Sequence, residues 1–419
     1  MSQILDEIKN KQQTSVLNAT VIVAALGYFV DVYDLILFGM VRISSLTDLG
    51  LSGDKLNSVG VDLHNWQMWG MMLGGIFWGI LGDKKGRLSV LFASILTYSV
   101  ANIANGMITS VDGYALWRFV AGFGLAGELG VGITLVAESM TKETRGYGTM
   151  LVASIGVTGA IVAAILTNYF HWRTVYYIGG GLGLSLLLLR ISVIESEMFS
   201  HTKEQNIQKG NFFQLFSNKE TFVKYLKCIL IGIPIWWLIG FLIIYASIFV
   251  KVSHIDTPLD FAKEQPVIIM LYYIGLTFGD ILSGFVSQIL ESRKKAVLWF
   301  IPFMVLFSLI YFFVPIHSKT IFYTLCVLLG ISSGYWAIFI TIAAEQFGTN
   351  IRSTVSTTAP NFVRGAFVLL NYMLIACMYF FNNNLLLSVL IVGVITFGAA
   401  LWALFTLPET FGKELDYTE

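Results

Sequence analysis

The stretch TVIVAALGYFVDVYDLILFGMV, residues 20–41, is long and apolar enough to cross a bilayer, yet it carries Asp31 and Asp34 in its middle. A span needs roughly 20 apolar residues, and this run supplies them. An ionised aspartate at the centre of such a helix costs about 2.5–3.5 kcal/mol on insertion scales. Acids at i and i+3 lie on one helix face, with Cβ atoms about 5–6 Å apart. A charge at that depth either finds a cation or takes up a proton, and two so close titrate as one unit. The run therefore reads as a membrane span that carries a proton site.

The rest of the chain is built from the same material. Of its 419 residues, 56% are hydrophobic and 12% charged, and its mean hydropathy is +0.74. Soluble domains carry about 25% charged residues, so this is an integral membrane protein. Lys+Arg and Asp+Glu both number 26, a balance that implies no nucleic acid or other strongly charged partner. Cys228, Cys326 and Cys377 stand alone in apolar stretches, and the five histidines fall in loops or at span ends. That pattern offers no metal-ligand spacing and no disulfide framework. No HExxH, phosphate-binding loop or Ser/His/Asp set lies within the spans, which argues against an enzyme. The first apolar run is long enough to insert and stay, so no cleavable signal peptide is expected.

Twelve apolar runs of spanning length follow one another, the first over 20–41 and the last over 385–407. Short connections join them, except for a polar stretch at 195–223 between runs six and seven. The expected organisation is an all-α membrane protein with an N-terminal six-helix bundle (1–194), a cytoplasmic linker (195–223) and a C-terminal six-helix bundle (224–419). Lys and Arg favour one set of loops roughly threefold, which by the positive-inside rule places both termini in the cytoplasm. On this reading Arg42 falls in the first outer loop. The halves echo each other: "AESMTKETR" ends run four and "AAEQFGTNIR" ends run ten, so Glu138–Arg145 and Glu345–Arg352 recur with an offset of 207. "VIESEMF" and "TLPETFG" place Glu195 against Glu409 at 214. Parallel repeats with a site at their interface are a known transporter architecture.

Several motifs bring these features together. "GILGDKKGR" resembles the G-x-x-x-D-[RK]-x-G-R loop of the major facilitator superfamily, through Gly79, Asp83, Lys84, Gly86 and Arg87. "RFVAGFGLAGE" is similar to that superfamily's span-four R-x-x-x-G-x-G motif, and "LPETFGKEL" to the closing motif of its sugar-porter-like branch. "GYFVDVYDLILFG" resembles the first-span signature of the metabolite:proton symporters, with Asp31 in place of a glutamate, and "AGELGVG" resembles their span-four motif through Gly127 and Glu128. The resemblance implies twelve helices working by alternating access, and uptake of small organic acids or zwitterions with protons. Phe38 and Leu35 depart from the first-span signature, and Arg364 is not expected from the family pattern.

The ionisable groups well inside spans are Asp31, Asp34, Glu128, Asp280, Arg118 and Arg364. With both arginines always charged, two of the four acids lack a basic partner. Asp31, Asp34 and Glu128 are the candidates for proton coupling; the alternative for Glu128 is an ion pair with Arg118. Arg364, near the midplane and close after Pro360, suits a carboxylate clamp; the alternative is a pair with Asp280. Arg118, Asn361, Trp236, Tyr335 and Trp336 complete the candidate substrate site. Asp83, Arg87, Glu138, Arg145, Glu345 and Arg352 sit at span ends with interleaved signs, as a cytoplasmic gate would.

The function expected is proton-coupled import of a small anionic metabolite such as a carboxylate across a bacterial inner membrane, by a monomer with no cofactor beyond the coupling ion. Sodium stays open as that ion. Export or import of a larger molecule such as a siderophore or drug, and uncoupled facilitation, are the alternatives; run five lacks the G-P-x-x-G-G of proton antiporters.

Overall fold

In a computed structural model of the chain, residues 19–85, 87–130, 132, 133, 136, 140, 142–197, 212–216, 218–348 and 351–412 are described. Among them helices carry nearly everything and no β-strand forms. The solvent dictates this, because in hydrocarbon each backbone N–H and C=O must be satisfied within its own segment.

In chain order the helices are α1 (Ala19–Asp48), α2 (Gly53–Lys85), α3 (Arg87–Met107), α4 (Val111–Leu125), α5 (Lys142–Val157), α6 (Gly159–Tyr169) and α7 (Trp172–Glu197). The second half continues with α8 (Lys219–Trp237), a π-helical stretch at Leu238–Ile244, α9 (Phe261–Ile289), α10 (Arg293–Phe313), α11 (Lys319–Ser332), α12 (Trp336–Glu345), α13 (Arg352–Phe380) and α14 (Leu385–Thr406). By length and hydropathy nine described crossings qualify as membrane spans. The other three of the twelve are α2 and α7, long enough but more polar, and the fourth crossing, interrupted after Leu125 by a turn at 126–128. One expected boundary moves. Helix α1 runs on to Asp48, so Arg42 is a buried residue of the helix and not part of a loop.

The packing repeats with a shift of six spans. Helix α2 lies against α4, α3 against α7, and α1 against α5 and α6; later, α9 lies against α11, α10 against α14, and α8 against α13. Across the middle, α2 meets α13 and α9 meets α5 and α6. Glycine pairs at i and i+4 allow close backbone approach at two of these crossings. In "GMMLG" (70–74) a Cβ on Gly70 would lie 2.1 Å from the Phe119 carbonyl oxygen, and in "GLTFG" (275–279) one on Gly275 would lie 2.1 Å from that of Val327. Lipid tails offer no hydrophobic force between helices, so close backbone approach through small residues does that work.

Two crossings are bent where the centre of the bundle needs them. The seventh passes from α8 into the π-helical stretch just after Pro234; such segments concentrate at functional sites. The tenth breaks between α11 and α12, where Gly334 abuts the backbone of Gly279. By contrast α13 runs unbroken through Pro360. The turn at 49–52 and the turn at 290–292 mark opposite ends of the bundle, called here the turn-50 end and the turn-291 end.

Candidate functional site

At the centre, α1 and α13 bring together residues 333 positions apart: Arg364 Nη2 lies 3.3 Å from Asp31 Oδ2. Both side chains are fully buried. The other Asp31 oxygen has no hydrogen-bond partner among the described residues. Arg364 Nη1 also reaches Asn361 Oδ1 at 3.5 Å, and Asn361 is held in turn by donating to the carbonyls of Ala126 (2.8 Å) and Thr357 (2.7 Å). The guanidinium sits 5.7 Å from the centroid of the Trp336 ring, whose Nε1–H donates to Tyr28 Oη at 2.9 Å. A cation is thus offered on a fixed mount. Its natural complement is a planar carboxylate, which can take two parallel hydrogen bonds.

Arg364 forms one wall of a small cavity whose other walls include Tyr28, Leu35, Trp236, Tyr273 and Trp336, with a volume of about 20 Å³. That is space for about one water. Both ends of the bundle are closed over it. At the turn-50 end, the Tyr245 hydroxyl lies 3.2 Å from His64 Nδ1, Arg42 donates to Ser247 Oγ at 3.1 Å, and Asn371 donates to Asn65 at 3.1 Å. Nearer the turn-291 end, Gly75, Gly79 and Gly130 press against Asn361, Thr354 and Thr357 of α13. This is an occluded arrangement with aromatic walls and one cation.

The remaining sequence candidates distribute as follows. Asp34, one helical turn from Asp31, turns to different neighbours, Arg118 and Asn102, and neither of its oxygens has a well-aligned hydrogen bond among the described residues. Arg118 donates to Gln67 (3.3 Å) and Asn102 (3.4 Å) and lies outside the central cavity. Glu128 pairs with Arg190 of α7, not with Arg118; Gly27 leaves the room for that pair, since a Cβ there would fall 2.0 Å from a Glu128 oxygen. Of the aromatics, Trp236 and Trp336 line the cavity, whereas the Tyr335 hydroxyl donates to the Ile231 carbonyl at 3.1 Å and the residue is no part of the wall. Sequence reasoning misses Arg190 and Tyr28. An arginine within span six that needs an anion is the available signal for Arg190.

Asp280 pairs with neither arginine. Its Oδ1 accepts the Ala337 backbone N–H at 3.2 Å, so it caps the first turn of α12 from a neighbouring helix. Helix starts leave orphan N–H groups, and this one is buried. Asp280→Ala is expected to cost about 1–3 kcal/mol of stability, the penalty of an unsatisfied buried donor, while Asp280→Asn keeps an acceptor and most of that stability. Thermal unfolding in detergent reads both; equal losses would remove the capping role.

At the turn-291 end, Glu345 lies 3.5 Å from Arg293 Nη2, and Arg293 Nη1 donates to Ser287 Oγ at 3.0 Å. Arg352 is buried on α13. The side chains of Asp83, Arg87 and Arg145, and all of Glu138, lie outside the described residues. Glu409 of "LPETFG" caps α10, accepting from the Ser292 hydroxyl and from the backbone N–H groups of Arg293 (2.9 Å) and Lys294 (3.3 Å). Burial pushes its carboxyl up, but the Ser292 hydroxyl and the backbone N–H groups of Phe411, Thr410 and Arg293 outweigh it and hold the group below its ordinary range.

Residues 24–370 match the sequence pattern described as Major Facilitator Superfamily. The chain belongs to the major facilitator superfamily. Among its relatives, the sialic acid transporter NanX of Escherichia coli (strain K12) is 25% identical over 337 residues, which is 78% of this chain and 79% of that one. The niacin transporter NiaP of Acinetobacter baylyi is 25% identical over 374 residues, 79% of this chain and 80% of that one. As a superfamily member the protein is a multi-pass membrane transporter of small metabolites and not an enzyme. The repeated helix pairings and the closed central cavity are the physical form of that membership here.

Proposed function

We propose that the protein imports a small carboxylate together with protons by alternating access between its six-span halves, residues 1–194 and 224–419. The observation that carries this reading is the Asp31–Arg364 pair. Its arginine lies in the wall of a small central cavity, and the pair joins the first half to the second. The names of the relatives add support, since niacin and sialic acid are both carboxylates.

The chemistry follows from competition for one cation. With the turn-50 end open, an incoming carboxylate displaces Asp31 from Arg364 and takes its place as a bidentate partner. Asp31, left buried without its cation, takes up a proton. Substrate and proton thus enter as a neutral set, and the halves rock over a centre that carries no uncompensated charge. At the turn-291 end the order reverses: substrate leaves, Asp31 gives up its proton and returns to Arg364. Asp34 with Arg118, and Glu128 with Arg190, act as neighbouring charges that tune the exchange. Asn361 holds Arg364, while Trp236 and Trp336 shape the cavity for a flat or compact substrate. The turn-291 end faces the cytoplasm, with both termini, in a bacterial inner membrane. There Glu345 with Arg293, and the span-end charges Asp83, Arg87, Glu138, Arg145 and Arg352, close the inner gate. A network of such charges biases a two-state equilibrium more than any exposed pair does alone.

Proteoliposomes loaded with a pH-sensitive dye test the reading. Adding nicotinate, N-acetylneuraminate, dicarboxylates, amino acids or sugars from outside is expected to acidify the lumen with one class of carboxylate. Radiolabel uptake with no pH response would give the coupling to sodium or to none. No uptake of any carboxylate would end the proposal.

A further inference from the structure

Arg42 is the arginine of α1, it is buried, and its surroundings differ from those of Arg364, Arg190 and Arg293. Arg364 pairs with Asp31, Arg190 with Glu128 and Arg293 with Glu345, while Asp34 is near enough to Arg118 for their charges to interact although the two form no ion pair. Arg42 is fully buried and has no carboxylate partner among the described residues. Its hydrogen bonds go to neutral acceptors: Nη1 to Asn57 Oδ1 at 3.2 Å and Nη2 to Ser247 Oγ at 3.1 Å. The guanidinium lies 4.9 Å from the Tyr245 ring centroid, and its Nε has no partner among the described residues. Asp62, an acid whose charge acts on Tyr245, is exposed and forms no ion pair with Arg42. A buried cation is costly unless an anion compensates it, so a guanidinium held by three neutral groups is a strong anion receptor once any of them moves away.

Its position says when that happens. Asn57 is on α2, in the same half as Arg42, but Ser247 and Tyr245 follow the π-helical stretch of the other half. Opening the turn-50 end separates these halves and takes two of the three partners with it. The freed guanidinium then faces the opened pathway. Asp31, Leu35, Phe38 and Arg42 recur at i, i+4, i+7 and i+11, one face of α1. Leu35 lines the central cavity and Phe38 packs between His64 and Tyr114. Eleven residues of helix span about 16 Å, so Arg42 stands at the mouth of a route whose far end is Arg364.

We propose that Arg42 is a second carboxylate-binding site, at the turn-50 mouth, which receives the substrate before Arg364 does. The two sites differ in kind. Arg364 must be released by a carboxylate that then takes a proton, whereas Arg42 exchanges neutral hydrogen-bond acceptors for an anion with no proton involved. Closing the end returns Ser247 and Tyr245 to Arg42, and the anion is left to the inner cation. This inference rests on the proposed carriage of carboxylates.

The test is sided exchange of radiolabelled nicotinate and N-acetylneuraminate in proteoliposomes of defined orientation, comparing wild type, Arg42→Gln and Arg42→Lys. Arg42→Gln is expected to raise KM about tenfold or more at the turn-50 face while KM at the turn-291 face stays within about twofold. Arg42→Lys should recover only part of that loss, because a point charge replaces a planar fork. An unchanged KM at the turn-50 face overturns the site. So does a loss of maximal rate by one factor in both directions with both KM values unchanged, which would make Arg42 a latch of the gate and nothing more. If the wild type carries neither of these probes nor any other carboxylate, the carboxylate reading of Arg364 falls and this one with it; if it carries one and Arg42→Gln behaves as wild type toward it, only this one falls.

Discussion

Asp31→Asn is expected to abolish accumulation of substrate against a gradient while leaving counterflow exchange within about tenfold of wild type, a cost of no more than about 1.4 kcal/mol. Asparagine has nearly the shape of the acid but neither carries a charge nor takes up a proton. Arg364 then loses the competitor that occupies it at 3.3 Å and holds a substrate carboxylate at any pH. Binding should therefore become independent of pH and no weaker than in wild type, and proton-driven concentration should disappear because nothing couples it. Steady-state accumulation and counterflow, measured in the same vesicles, separate the two effects. Accumulation by Asp31→Asn at wild-type levels would remove the proton from this residue and direct attention to Asp34, which sits one turn away beside Arg118.

The second large effect is expected at the cation. On the proposed clamp, Arg364→Ala removes two charge-assisted hydrogen bonds to substrate, each worth about 1.5–3 kcal/mol, so carboxylate affinity should fall at least a hundredfold. It also leaves Asp31 buried without its partner, and breaking such a pair costs about 3–5 kcal/mol. The double substitution Asp31→Asn/Arg364→Ala should regain most of that stability but none of the binding. Arg364→Lys should be intermediate in affinity despite keeping the charge, because the fork that matches a carboxylate is lost. Thermal unfolding and equilibrium binding read the two consequences independently. Wild-type affinity in Arg364→Ala would show that the cation is a structural counter-ion.

Much of this is legible in the amino-acid sequence, for a reason that lies in the bilayer. A solvent that rejects every unpaired backbone group and charge makes spans visible as apolar runs and makes Asp31, Asp34, Glu128, Arg118 and Arg364 conspicuous inside them. Partners are not legible. The meeting of Asp31 with Arg364 is a three-dimensional fact about α1 and α13, and no periodicity encodes it. The same blindness puts Glu128 with Arg118, when an arginine 62 residues away on α7 is closer to hand, and leaves Asp280 looking for a cation when it caps a helix. Break points are half legible. Gly334 falls at the interruption of the tenth crossing, whereas α13 passes through Pro360 intact. Arg42 is misplaced for a simpler reason: a charged residue at the end of an apolar run looks like a loop, although the helix continues to Asp48.

The bridge between Asp31 and Arg364 also bears on the energy economy of the cell that carries this protein. A proton arriving alone would have to break the pair and strand a guanidinium in the dry centre of the bundle, with no substrate there to receive it. On the proposed mechanism, that penalty closes the short circuit in which protons cross without cargo. High expression in the absence of substrate should therefore leave the membrane potential nearly intact, and the transporter should run as a meshed gear without a slipping clutch.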